Sequence, residues 1–212
     1  MTYLRDVGAL ARKDLLLELR AKETLPSMLL FVVASLAIFH FALPHGSGNV
    51  AALGLLWVAL VFTALLALTR AFVAEREQSL FDALVLAPCD RSAIWLGKAL
   101  AVFVFLAAAE VVALPAFAVF FSGVGGHAVG AVALADVGIA AVGTLLGAMA
   151  VAGRARELLL PLLFLPLAIP VIVGGVGASA GAGARYFWFL VLYDAVFSLL
   201  AWASFEYVIA ET

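Results

Sequence analysis

Residues 50–72 read VAALGLLWVALVFTALLALTRAF, and the first charge is Arg70. A helix rises 1.5 Å per residue, so roughly 20 such residues cross the hydrocarbon of a bilayer. Five further segments share this character, at 25–43, 98–121, 129–152, 158–177 and 186–208. The predicted fold class is therefore all-α, a polytopic membrane protein with six transmembrane helices. The composition agrees. Of 212 residues, 67% are hydrophobic and 12% charged, against about 25% charged in a soluble domain. Mean hydropathy is +1.20. The connections are short and no soluble insert interrupts them, so 1–212 reads as a single membrane-embedded domain.

The charges orient the spans. Of the 12 Lys and Arg residues, only Arg185 falls in the connections at 44–49, 122–128 and 178–185. The rest lie before the first span, between 70 and 98, and at 153–157. Positive charge is retained on the cytoplasmic side. Both termini and the 73–97 and 153–157 loops are thus expected in the cytoplasm.

Residues 4–22 carry Leu4, Val7, Ala11, Leu15 and Leu19 at helical spacing, with Arg5, Arg12, Lys13 and Arg20 off that stripe. The pattern predicts an amphipathic helix lying in the interface. The alternative is a charged extension of the first span. Asp6, Asp14, Glu18 and Glu23 make this region too acidic for a secretory n-region, and no A-x-A cleavage pattern follows.

Most reaction chemistries find no residues here. The single Cys89 excludes a disulfide framework, a CxxC redox pair, a CxxCH haem attachment site and a Cys-based zinc site. The Gly-rich GGVGASAGAG at 174–183 has no Lys for a phosphate loop. It matches GxSxG at Gly177, Ser179 and Gly181, but a serine nucleophile needs a base and no His follows residue 127. A flexible turn is the simpler reading. His40, His45 and His127 fall at outer span ends without metal-ligand spacing. No catalytic residue and no metal site is predicted.

Glu110, Asp136 and Asp194 lie inside spans. A charge at membrane depth costs about 2.5–3.5 kcal/mol, so such groups face protein or a cavity. No span offers a central Lys or Arg. The three are read as packing contacts, subunit contacts or a proton or substrate path. Gly138, Gly143 and Gly147 lie in the fourth span, the last two as GTLLG. Small residues four apart permit close helix approach, either to a second copy or within the chain. The fifth span, with Pro161, Pro166 and Pro170, is expected to be bent or broken.

The segment AEREQSLFDALVLAPCDRSAIWLGK at 74–98 is too polar to span and too apolar for an idle linker. Leu80, Phe81, Leu84 and Val85 form an apolar stripe beside Arg76, Glu77 and Asp82. Pro88 ends that helix, and Asp90 can cap the next. A short surface helix of this kind is a docking element for a cytoplasmic partner.

That segment resembles the cytoplasmic stretch of ABC-2 type permeases, through ERE, Asp82, Pro88, Arg91 and Gly97-Lys98. Together with RKDLLLELRAKE (12–23), LTRAFVAEREQSLFDALVLAPCDRSAIWLGKAL (68–100), AAVGTLLGAMA (140–150), RARELLLPLLFLPLAIPVIV (154–173) and FEYV (205–208), it is similar to the haem exporter B family, CcmB. Thr69, Ser79 and Cys89 depart from the pattern. The resemblance implies a non-enzymatic ABC-2 type membrane subunit for c-type cytochrome biogenesis in the bacterial inner membrane. It implies ATP hydrolysis in a separate CcmA-type chain. CcmC-type and CcmD-type proteins are the implied neighbours, a CcmE-type haem chaperone the client, and a homodimer is allowed. Haem would be cargo, not a covalent cofactor. The implied ATPase-coupling residues are Arg76, Glu77, Asp82, Pro88, Arg91 and Lys98, with Arg154, Arg156 and Glu157 as secondary contacts. A permease for another cargo, such as a lipid-linked glycan or a drug, is the alternative.

Overall fold

The computed structural model describes residues 2–44, 49–71, 90–121, 124–152 and 156–210. Among these the protein is all-helical, with seven helices: α1 (Thr2–Ala21), α2 (Thr24–Ala42), α3 (Asn49–Arg70), α4 (Arg91–Phe121), α5 (Gly126–Ala152), α6 (Arg156–Ser179) and α7 (Ala184–Ala210). Helices α2 to α7 are each long and apolar enough to cross a membrane. In hydrocarbon a backbone N–H has no water to bond, and a helix satisfies each one within its own segment.

Helix α5 is the hub, packing on α3, α4, α6 and α7, while α2 joins α3 and α4 at the edge. Glycine explains why α5 can take so many neighbours. A Cβ at Gly143 would run into the side chain of Leu68 on α3. One at Gly138 would run into Asp194 and the ring of Tyr193 on α7. The close approach that the fourth span permits is thus spent inside the chain, on α3 and α7. On α6, Gly175 makes room for the Trp57 ring in the same way.

Three prolines lie within α6, and the helix continues through all of them. The Tyr193 hydroxyl on α7 donates to the Leu167 carbonyl at 2.9 Å, between Pro166 and Pro170. A neighbouring helix therefore supplies a donor in the proline-interrupted stretch.

The end of α6 accounts for the Gly-rich sequence. Gly181 has φ +68° and Gly183 φ +116°, a region that L side chains rarely adopt. Ala182 N–H donates to Gly177 O at 3.0 Å and Gly181 N–H to Ala178 O at 3.1 Å. These two bonds form a Schellman cap. Ser179 lies in the last turn and accepts a hydrogen bond from Trp57 Nε1 at 3.0 Å. The GxSxG match is a helix terminus.

Helix α1 packs along α4 with slight contact to α2. The predicted stripe docks only at its centre. Val7 and Ala11 are buried, while Leu4 and Leu19 are exposed. The two helices cross at Gly97, where a Cβ would stand 2.8 Å from Leu10 Cβ and 3.1 Å from Val7 O. A crossing this close buries one short stretch of α1 and leaves the apolar side chains toward its two ends exposed.

Paired glycine substitutions test the packing account. Gly138→Ala is expected to lower stability by about 1–3 kcal/mol through overpacking, seen as a lower Tm in detergent. Gly54→Ala, where no atom lies within 4 Å, is expected to raise it by about 0.5–1 kcal/mol through helix propensity.

Candidate functional site

At one end of the bundle, polar side chains brace the helices that flank residues 72–89. Lys98 lies two turns into α4 and is 3% exposed. An ammonium at that depth needs oxygen partners. Its Nζ donates to Ala71 O at 3.0 Å and stands 3.3 Å from Asp14 Oδ2 on α1. Lys13 Nζ lies 3.0 Å from the other Asp14 oxygen. One cation thus ties α1, α4 and the residue that follows α3.

A cavity of about 30 Å³ adjoins this pair, lined among others by Asp14, Glu18, Thr24 and Lys98. The Thr24 hydroxyl donates to Glu18, closing the α1–α2 corner, where Lys22 takes φ +54°. A residue other than glycine in that conformation is held by its surroundings. Outside the cavity, Arg70 at the end of α3 lies 3.5 Å from Glu23.

The start of α4 is held just as locally. Asp90 Oδ1 accepts from Ser92 N at 2.9 Å and from Ser92 Oγ at 2.8 Å, the N-cap read from the sequence. The side-chain bond first, then the backbone bond, holds the Asp90 carboxyl below its ordinary value of 3.8. The lowered value fixes the sign: the cap is present at neutral pH and is lost only as pH falls through a pKa below 3.8. Tyr3 Oη lies 3.1 Å from Ser92 Oγ. Arg91 stands 3.8 Å from Glu206 on α7. Arg70, Asp90, Arg91 and Lys98 therefore gather at one end with α1 and the end of α7.

Of the six predicted coupling residues, Arg76, Glu77, Asp82 and Pro88 lie outside the described residues, as does the helix expected around them. Arg154 lies outside as well, and Arg156 and Glu157 open α6. Arg91 is partly exposed. Lys98 is turned inward onto Asp14, and its contacts are within the chain. Sequence reasoning missed Asp14. Its signal was present as an acidic residue bordering the apolar stripe, but spacing alone names no partner 84 positions away.

The intramembrane carboxyls divide into two sites. Asp136 on α5 and Glu110 on α4 hydrogen-bond to each other. A bond between two carboxyl groups requires a proton on at least one. Asp136 is 3% exposed and its Oδ2 has no further partner among the described residues. Asp194 sits instead against Gly138 and beside Tyr193. Asp136 and Gly138 are two residues apart and so face different neighbours on α5. A continuous path through all three carboxyls is not formed by these contacts.

His40 packs among the rings of Phe41, Phe120 and Phe121, and His127 lies 6.3 Å from the Phe187 ring. His45 is outside the described residues. Among the described residues no three His, Cys, Asp or Glu side chains converge as metal ligands.

The family model described as "CcmB protein" matches residues 5–207. Heme exporter protein B of Pseudomonas aeruginosa is 35% identical over 175 residues, covering 80% of this chain and 78% of that protein. Heme exporter protein B of Bradyrhizobium diazoefficiens is 29% identical over 179 residues, covering 82% and 80%. The chain belongs to the CcmB family.

The brace carries its own test. Lys98→Met leaves Lys13 as the cation beside the Asp14 carboxylate and frees the Ala71 carbonyl, and is expected to cost about 1–3 kcal/mol. Limited proteolysis in vesicles should then cut within α1, and Tm should fall. Adding Asp14→Leu removes the half-paired carboxylate and should recover part of the loss.

Proposed function

We propose that this CcmB-family chain is the membrane permease subunit of an ATP-driven haem exporter or haem-chaperone release complex for c-type cytochrome biogenesis. The observation that carries the reading is the family match over residues 5–207, nearly the whole chain. Both curated relatives named above are heme exporter B proteins. The chain is then a transporter subunit in the bacterial inner membrane, with ATP hydrolysed by a separate CcmA-type partner. A CcmC-type haem-handling protein, a CcmD-type small protein and a CcmE-type chaperone complete the proposed system. Both termini face the cytoplasm in this reading, and α1 lies in the interface.

The proposed coupling element is the 74–98 segment. The brace around Lys98 supports this division of labour. Arg76, Glu77, Asp82, Pro88 and Arg91 are the proposed surface toward the ATPase. Lys98 has a different proposed part: it fixes both ends of the loop against α1, so that a push on the loop moves α3 and α4 together. Haem propionates are anionic, and the polar groups at membrane depth are carboxyls and hydroxyls. Mechanical work on a partner therefore fits the membrane interior better than a conducting pore for haem.

Charge reversal in the assembled complex tests the coupling surface. Asp82→Arg and Arg91→Glu are each expected to lower ATPase association and holocytochrome c yield about tenfold. If both quantities stay at the unaltered level, the coupling role is wrong. Arg91→Glu combined with Glu206→Arg separates an internal role from docking. Recovery in the double variant assigns Arg91 to the 3.8 Å pair with Glu206; persistent loss assigns it to the partner.

A further inference from the structure

Between α4 and α5 lies an open groove of about 420 Å³, lined by Ala107, Glu110, Val111, Pro115, Val129 and Ala133 among others. Val111 and Val129 on its rim are exposed sideways from the bundle, where a bilayer would lie. Glu110 is 12 residues along α4 from Lys98 and 11 from Phe121, hence roughly 16–18 Å from either end of the apolar stretch. A lipid headgroup does not reach that depth. Behind Glu110 is Asp136, buried and with Oδ2 unsatisfied among the described residues.

Hydrocarbon filling this groove would leave an acidic pair at mid-membrane facing a medium that offers no donor. Such a placement costs several kcal/mol unless protein covers it. The described residues of the chain do not supply the complement. Of the described cations, Lys98 is engaged by Asp14 and Ala71 O, Arg91 by Glu206 and Arg70 by Glu23; those from Arg5 to Lys22 lie on α1 or directly after it, Arg156 opens α6, and Arg185 opens α7 at the opposite end. A second copy would bring the same set of charges. Meanwhile Ala107 and Ala133 leave the walls low enough for a helix backbone to approach closely.

We propose that the α4–α5 groove receives a membrane-spanning helix of a different polypeptide, whose basic side chain near mid-span meets Glu110. The inference needs only that the chain crosses a bilayer, and is independent of the cargo and of the coupling loop.

The test places a benzophenone amino acid at Val111 or Val129 in the full-length chain, expressed in a bacterium that makes the protein. Ile169 and Val173, exposed on α6, are control positions. Irradiated products are mapped by mass spectrometry. The expected result is a crosslink from Val111 and Val129, absent from the controls. It should map to a spanning helix of another protein, within one turn of a Lys, Arg or His. Glu110→Gln should reduce that product about tenfold. Ala133→Leu, which fills the groove and leaves the carboxyl intact, should do the same. Crosslinks to a second copy alone, or to lipid alone, overturn the proposal. So does a partner helix without a basic residue, or a yield that neither substitution changes.

Discussion

A polar group inside hydrocarbon has only the protein to bond with, and this constraint decides most of what the structure does. It makes every long segment a helix. It puts a Tyr193 hydroxyl on a carbonyl in the proline-rich part of α6. It also seats Lys98, at the membrane end of α4, on a carbonyl and a carboxylate from two other elements. The hydrophobic effect does little between helices once lipid surrounds them, so contact depends on close fit and on these few polar bonds. The glycines of α5 provide the fit.

The same constraint separates two classes of buried polar side chain. Lys98 and Asp14 answer each other and so lock α1 to the bundle. Glu110 and Asp136 answer each other only in part, because two carboxyl groups share a proton but neither offers a second donor. The first arrangement is a brace, complete within the chain. The second is incomplete and opens onto a groove. Asp194 is a third situation, a carboxyl pressed against a glycine backbone and a tyrosine ring.

The brace gives the family assignment a mechanical sense. Residues 72–89 leave α3 at Arg70–Ala71 and return to α4 at Asp90. Each departure point is held: Arg70 by Glu23, the Ala71 carbonyl by Lys98, Asp90 by Ser92 and Arg91 by Glu206. In the proposed coupling role, force applied to residues 72–89 would reach α3 and α4 through these held ends. The proposed role, a membrane subunit worked by a separate ATPase, needs that property.

Sequence alone determined the six spans, a helical segment before them and the Asp90 cap. Hydropathy over 20 residues and capping chemistry are local, and membrane depth leaves a long apolar segment no alternative to a helix. The family likeness was legible for the same reason, as motifs in contiguous segments. What only the tertiary structure decided is who meets whom. Gly138 and Gly143 had two open readings until Asp194, Tyr193 and Leu68 were found against them. Lys98 read from the sequence as one of the coupling residues, and its ammonium is buried on Asp14. Glu110 and Asp136 looked like separate unpaired charges, and they share one bond. Spacing along a helix assigns a residue to a face; it carries no information on which distant segment covers that face. That information arises only when the helices pack.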